Sequence, residues 1–137
     1  CFKNLIIQNM ENISNLYDIS LITESHADQI LEIMTSFWAE KGVCPKKQLI
    51  SIIKEDLSFS IKNKSEIIGL CLIKREVIND GYIFAICIKN DYQHKGLGYK
   101  ILNYCIENAK KQQGINQFSL HVSINNEVAI KGCSLLV

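Results

Sequence analysis

The uninterrupted run of apolar residues at positions 82–88 is the feature that most limits what this chain can fold into. It has the length of one β-strand and falls far short of the roughly 18 residues that a membrane span needs. Because the run does not alternate with polar residues, it predicts a strand buried on both faces, in the middle of a sheet.

A polar segment follows this strand directly and leads into an amphipathic helix. Residues 89–98 contain Gly96 and Gly98, and residues 97–112 carry apolar side chains at helical spacing. This helical stripe consists of Ile101, Leu102, Cys105, Ile106 and Ala109. The unit therefore places a glycine-bearing loop between the end of a buried strand and the start of a helix.

The remaining patterns complete a mixed α/β fold. Their spacing predicts strands at 18–22, 58–62, 66–76 and 118–124, helices at 25–42 and 45–57, and a short helical segment at 126–132. Turns are expected at 63–64 and 79–81, and Gly69 suits a bulge. The order β-α-α-β-β-β-α-β-α indicates a mixed, mostly antiparallel sheet flanked by helices. Residues 1–17 form an N-terminal extension or short helix, and residues 18–137 form one domain.

Composition and charge narrow the class of partner. The chain is 47% hydrophobic and 21% charged, and Lys+Arg 15 against Asp+Glu 14 leaves a formal net charge of +1. We therefore expect no binding to nucleic acid or to an anionic membrane through bulk charge. The six cysteines contain no Cys-x-x-Cys spacing. We expect buried thiols, no metal, and a cytoplasmic location.

The loop at 93–98 predicts an anion site. The first amides of a helix have no partner within the helix and carry partial positive charge, and glycines let a ligand approach them. A Rossmann fingerprint would need a third glycine where Ile101 stands, and a P-loop would need the order Gly-Lys-Ser/Thr, whereas Lys95 precedes Gly96. Both motifs are disfavoured. The alternative to an anion site is an ordinary turn into a helix that binds no ligand.

The segment Gln93-His94-Lys95-Gly96-Leu97-Gly98 resembles the signature of the GCN5-related N-acetyltransferase superfamily, Gln/Arg-x-x-Gly-x-Gly/Ala. The two early helices, the three-stranded meander and a last strand followed by Asn126 and Ala129 agree with that family, and the resemblance covers residues 18–132. Residues 91–99 are most similar to the branch that acetylates the N-terminal alanine of ribosomal proteins.

The resemblance implies that acetyl-CoA lies in a gap between the strand ending at Ile88 and the strand beginning near Phe118. Backbone groups of the first strand would pair with the pantetheine arm, and the loop amides would hold the pyrophosphate. The implied cofactor-binding residues are Ile86, Cys87, Ile88, Gln93, His94, Lys95, Gly96, Leu97, Gly98, Tyr99 and Asn126.

The resemblance also implies direct attack of a primary amine on the thioester in a ternary complex. His121 stands where the N-terminal acetylating branch carries a glutamate, so we expect it to act as general base; a solvent-facing histidine is the alternative. Many relatives carry a tyrosine that acts as general acid at the position of Cys133, and Cys133 is therefore our candidate general acid. No carboxylate occurs in residues 82–88, where many relatives place a glutamate.

The end of the chain departs from the family pattern. Residues 132–137 replace the expected ending, and we expect the last two strands of the family's sheet to be missing. A partner chain that fills their place would make the protein a homodimer. The acceptor stays open between a protein N-terminus, a lysine and a small-molecule amine. Two other functions stay open as well: a CoA-binding module without turnover, and a generic phosphate-binding α/β domain.

Overall fold

The computed structural model of the chain describes residues 17–38, 44–77 and 79–120. In order, the elements are β1 (Asp18–Leu21), α1 (Ala27–Trp38), α2 (Lys46–Ile53), β2 (Phe59–Asn63), β3 (Glu66–Arg75), β4 (Asp80–Ile88), α3 (Leu97–Gln113) and β5 (Gln117–Ser119). Short 3-10 turns occupy Glu24–His26 and Asn90–Tyr92. None of the helices in these segments is long and apolar enough to cross a membrane.

The five strands form one sheet in their sequence order. Neighbouring strands are antiparallel, except that β5 runs parallel to β4 because α3 carries the chain back between them. This mixed, mostly antiparallel sheet with flanking helices confirms the predicted fold class. The predicted N-terminal extension, the end of the first helix near Gly42, and the chain from His121 onward lie outside the described residues.

Each face of the sheet is covered by its own apolar core. Strand side chains alternate between faces, so Leu72 packs with the residues of α1 and α2 while its neighbour Ile73 packs with those of α3. The predicted stripe of α3 is buried along its whole length, from Ile101 to Ala109. The covered central strands therefore explain the apolar runs in the sequence.

Two element boundaries differ from the predictions. Helix α2 ends at Ile53, and Leu57, expected on its apolar face, is buried in the segment that leads into β2. Asp80 and Gly81, expected in a turn, belong to β4. The physical reason is that Asn79 adopts the left-handed conformation, at φ 73°, and so turns the chain before these two residues.

The thiols in the described core are buried, as the sequence predicted. A hydrogen bond with Cys105 and burial together raise the pKa of Cys71 well above its usual range. Burial, reinforced by the nearby Cys71, raises the pKa of Cys87 to about 12. Because nucleophilic attack requires a thiolate, these side chains serve as small apolar residues at neutral pH.

Gly69 of β3 pairs with Ile88 of β4 and lies in close contact with that strand. The extra residue between the β2–β3 pairs Ile61–Gly69 and Lys62–Ile67 is Ile68, so the expected bulge lies one residue before Gly69. A Cβ on Gly69 would lie 2.4 Å from Ile88 Cδ1 and 3.0 Å from the Cys87 carbonyl oxygen. The backbone oxygen has little room to move, so the position requires glycine.

We predict that Gly69→Ala lowers the free energy of unfolding by about 1–3 kcal/mol, the usual cost of overpacking a core. Urea denaturation measures the change. Gly98→Ala is the matched control, because its Cβ would meet only Ile88 Cγ1, at an ordinary 3.9 Å. A Gly69→Ala protein as stable as the wild type would contradict this account of the β3–β4 contact.

Candidate functional site

Strands β4 and β5 pair only at their first residues. The parallel ladder joins Asp80 to Gln117 and ends with Tyr82 opposite Ser119. Beyond Tyr82, β4 continues for the rest of its length, to Ile88, while pairing with β3 on its other side. The description of the chain ends at residue 120, and among the described residues no strand pairs with the β5 side of β4 from Ile83 to Ile88; this stretch is called the open edge below.

A bulge in β4 lies just past Tyr82, where the described β4–β5 ladder ends. Leu72 of β3 pairs with Ala85 and Ile73 pairs with Ile83, so Phe84 is the extra residue. The bulge turns both Phe84 and Ala85 toward the core of α1 and α2. Bulges bend a strand and increase its twist. This one therefore bends β4 just past its last described pair with β5.

The peptide groups at the end of β4 divide between its two sides. The Lys89 amide donates to the Ile68 carbonyl at 2.8 Å. The preceding pair of the ladder, Ile88 opposite Gly69, is therefore a non-hydrogen-bonded pair. By the alternation of such a ladder, Cys87 directs its peptide groups to β3, whereas Ile86 and Ile88 direct theirs to the open side.

The loop after β4 is held by its own side chains. Gln93 Nε2 donates to the Ile88 carbonyl at 2.9 Å and to Asn90 Oδ1 at 3.1 Å. The Tyr92 amide donates to the Lys89 carbonyl at 2.9 Å, within the 3-10 turn. Gln93 thus ties the loop back to the strand it leaves, and its amide group is used for this purpose.

Two left-handed residues shape the entry into α3. His94 has φ 63° and Gly96 has φ 79°. Left-handed residues placed between right-handed or extended ones turn successive amides to one side, as in the main-chain anion sites called nests. A non-glycine residue in this conformation is uncommon, which makes His94 a locally strained position.

The start of α3 leaves a group of amides available. Gly96 caps the helix without any side-chain hydrogen bond, and the first helical bond runs from the Lys100 amide to the Gly96 carbonyl at 3.1 Å. The amides of Leu97, Gly98 and Tyr99 come before it and have no acceptor within the helix. The first turn of α3 contains no acidic residue. The positive end of the helix dipole is therefore not neutralised locally.

Space accompanies these amides. Leu97 is buried in the α3 core and fixes the helix start against the sheet. A Cβ on Gly96 would meet nothing within 4 Å, and one on Gly98 would meet only Ile88 Cγ1 at 3.9 Å. The missing side chains thus leave room beside the amides, as a bound diphosphate would require.

An aromatic cluster braces the other side of the loop. The Tyr92 hydroxyl accepts a hydrogen bond from Asn63 Nδ2 at 3.1 Å, and its ring meets the Tyr17 ring edge-on at a centroid distance of 6.2 Å. The Tyr17 carbonyl in turn accepts from the buried Lys100 ammonium at 3.5 Å. Burial lowers the pKa of Lys100, while the nearby Asp18 charge acts in the opposite direction.

The predicted loop residues from Gln93 to Tyr99 come together at the start of α3, next to the open edge at Ile86 and Ile88. His121, Asn126 and Cys133 lie outside the described residues. Their roles therefore stay predictions.

Sequence analysis missed two features of this site. Tyr82 and Phe84 project from the α1/α2 face of β4, with ring centroids 6.5 Å apart. No glycine marks the bulge at Phe84, so only the mismatch in length with β3 reveals it. The second feature is Tyr92, which lies in the loop predicted to be polar. An aromatic residue in such a loop indicates packing, and Tyr92 packs against Tyr17.

A model of the acetyltransferase (GNAT) family matches residues 27–131 of the chain. A comparison with curated proteins finds no match. Among solved structures, the ribosomal-protein-S18-alanine N-acetyltransferase from Escherichia coli is similar, with 23% identity, 88% of this chain and 76% of that chain covered, and a TM-score of 0.74.

Two further structures are similar at lower identity. PaiA N-acetyltransferase from Thermoplasma acidophilum, in complex with coenzyme A, has 19% identity, covers 86% of each chain and has a TM-score of 0.70. An aminoglycoside acetyltransferase from an uncultured soil metagenomic sample, in complex with sisomicin, has 13% identity, 90% and 89% coverage of the two chains, and a TM-score of 0.71. At these identities the similarity concerns the fold, whereas the family match extends from α1 past the last described strand. The chain belongs to the acetyltransferase (GNAT) family.

Proposed function

We propose that this chain binds acetyl-CoA and transfers its acetyl group to a primary amine by direct attack in a ternary complex. One observation carries the proposal: among the described residues the β4–β5 ladder ends at Tyr82, and the open edge of β4 beyond it leads to the start of α3, where no side chain caps the helix amides. An extended arm that ends in a diphosphate matches both parts of this surface. The arm can pair like an added strand, and the diphosphate can accept from the helix amides.

Each part of the ligand has assigned residues. The pyrophosphate would accept hydrogen bonds from the amides between His94 and Tyr99, on the positive side of the helix dipole. The pantetheine amides would pair with the outward peptide groups of Ile86 and with the Ile88 amide, since the Ile88 carbonyl already accepts from Gln93. Cys87, predicted as a third partner, directs its peptide groups to β3 and contributes through packing instead. Asn126 would hydrogen-bond the ligand from the segment after β5.

The chemistry requires two proton transfers. The acceptor amine loses a proton to His121 as its nitrogen attacks the thioester carbonyl carbon, and the carbon–sulfur bond then breaks. The departing thiolate gains a proton from Cys133, whose ordinary pKa of about 8.5 suits that step. No covalent enzyme intermediate is required, and the buried thiols Cys71, Cys87 and Cys105 take no part.

We favour a peptide N-terminus over a polycationic amine as the acceptor. Between Tyr82 and Ile88, β4 offers aromatic and aliphatic side chains and no carboxylate. A polycation such as an aminoglycoside requires several acidic partners when it is bound, because an unpaired charge is costly to desolvate. The similarity of the loop to the alanine-acetylating branch supports the same choice.

Calorimetry with acetyl-CoA, followed by a thiol-release assay, tests the proposed function. The acceptor panel contains a peptide beginning with alanine, the same peptide with a blocked N-terminus, a lysine-containing peptide and an aminoglycoside. We expect binding, and thiol release with the free alanine peptide only. Binding without release on any amine would favour the CoA-binding module, and equal affinity for ADP and CoA would favour a generic phosphate site. No binding would exclude the proposed function.

We predict that Gly98→Val weakens acetyl-CoA binding, whereas Gly98→Ala is tolerated. The methyl group of Gly98→Ala meets only Ile88 Cγ1 at 3.9 Å, so the free energy of unfolding should stay unchanged or rise by up to about 1 kcal/mol. Because the family signature admits alanine at this position, the acetyl-CoA affinity of Gly98→Ala should also be retained. The larger side chain of Gly98→Val enters the space beside the helix amides, so its acetyl-CoA affinity, measured by calorimetry, should fall at least about tenfold, which is 1.4 kcal/mol. Normal binding by Gly98→Val would show that the diphosphate lies elsewhere.

We predict that His121→Ala lowers turnover by about 10²–10⁴-fold, the usual scale for loss of a general base, with acetyl-CoA affinity unchanged within a few fold. Steady-state rates and calorimetry on the same samples measure the two effects. Ser119→Ala, a change at an exposed residue of β5, is the control and should leave turnover unchanged. Equal turnover in the His121→Ala protein would assign this histidine to the surface.

A further inference from the structure

The Lys95 ammonium lies over an aromatic ring and is not paired with a carboxylate among the described residues. It lies 5.5 Å from the centroid of the Tyr92 ring, and among the described residues it forms no ion pair. The two neighbouring lysines differ: Lys89 pairs with Glu66 at 3.3 Å, and Lys100 is buried against the Tyr17 carbonyl. Of these three lysines, Lys95 alone presents an exposed charge that an anion from solvent can approach.

The ring beneath Lys95 is fixed from two directions. Asn63, at the end of β2, donates to the Tyr92 hydroxyl at 3.1 Å, and the Tyr17 ring packs edge-on against the Tyr92 ring. Attraction between an ammonium and an aromatic face is worth about 0.5–1 kcal/mol at an exposed site, enough to bias where a lysine side chain rests. The ring thus restricts Lys95 to one side of the loop.

That side faces away from the gap between β4 and β5. Asn63 belongs to β2 and Tyr17 precedes β1, and both strands lie on the opposite side of β3 from the gap. In acetyl-CoA the diphosphate joins a pantetheine arm to an adenosine that carries a 3′-phosphate. If the arm leaves the helix amides toward the gap, the adenosine leaves toward the side where Lys95 is held.

We propose that Lys95, positioned by the Tyr92 ring, binds the ribose 3′-phosphate and makes this chain discriminate coenzyme A from dephospho-coenzyme A. The inference rests on the proposed function, because it assumes that the helix amides hold the diphosphate. A phosphate monoester carries a charge of about −1.5 to −2 near neutral pH, and an exposed ammonium is a suitable point-charge partner for it. Tyr92 acts as a positioning residue and does not itself contact the ligand.

The test compares the dissociation constants of CoA and dephospho-CoA by calorimetry at low salt. For the wild type we expect CoA to bind roughly two- to fivefold more tightly, the range that one exposed charge pair supplies. Lys95→Met should bring the ratio of the two constants to about one by weakening CoA alone. Lys89→Met is the matched control: it removes the same charge from a lysine paired with Glu66, and it should keep the ratio.

Two changes at Tyr92 separate the ring from the hydroxyl. Tyr92→Phe loses the bond from Asn63 but keeps the ring, so it should keep most of the ratio. Tyr92→Leu removes the ring and should lower the ratio toward that of Lys95→Met, with thermal melting as the check on folding. If Tyr92→Leu does not fold, the comparison of Lys95→Met with Lys89→Met decides alone.

Three results would overturn the inference. A wild-type ratio of one would mean that the 3′-phosphate has no partner. An equal loss of affinity for both ligands in Lys95→Met would place the ammonium on the diphosphate. A retained ratio in Lys95→Met would assign the discrimination to another group. In each of these cases CoA still binds, whereas failure of the proposed function itself would abolish the binding of both ligands to the wild type.

Discussion

The hydrogen-bonded ladder between β3 and β4 is the contact on which the rest of this molecule depends. It holds β4 from one side only, so that the peptide groups of Ile86 and Ile88 face the other side while the strand stays in place. A strand edge with unpaired peptide groups can otherwise pair with a strand of another chain. Gly69 permits the ladder to close tightly, and the buried residues of β3 bind both helical layers to it.

The loop and the start of α3 require open space, whereas the β3–β4 ladder requires close packing. Gly69 lies in tight contact with β4, but Gly96 and Gly98 leave space open beside amides that have no acceptor within the helix. Polar groups in that condition are costly when buried and useful when a ligand satisfies them. The core thus stabilises the fold, while the loop keeps hydrogen-bonding capacity in reserve for binding. The brace formed by Tyr92 lets the loop keep one shape without filling that space.

Reasoning from the sequence was most successful where a pattern is local. The stripe of α3, the apolar strand before it and the glycine-bearing loop between them are each set by residues within a few positions of one another, and the structure has all three. The predicted end of α2 and start of β4 were wrong, because Leu57 is buried in the core beside α3 and Gly81, which follows the turn at Asn79, pairs with Phe118 of β5. The bulge at Phe84 also escaped prediction, since it arises from the register between two strands.

The sequence by itself determined which segment is the buried strand, which carries the amides for an anion, and which side of the helix packs inward. Only the tertiary structure decided that the described β4–β5 ladder ends at Tyr82, that the peptide groups of Cys87 face β3, and that Tyr92 holds Lys95 on the side away from the gap. The physical reason is the distance along the chain between the residues that interact. Periodicity and capping act within one turn or one strand, whereas strand register and ring packing depend on residues far apart in the chain.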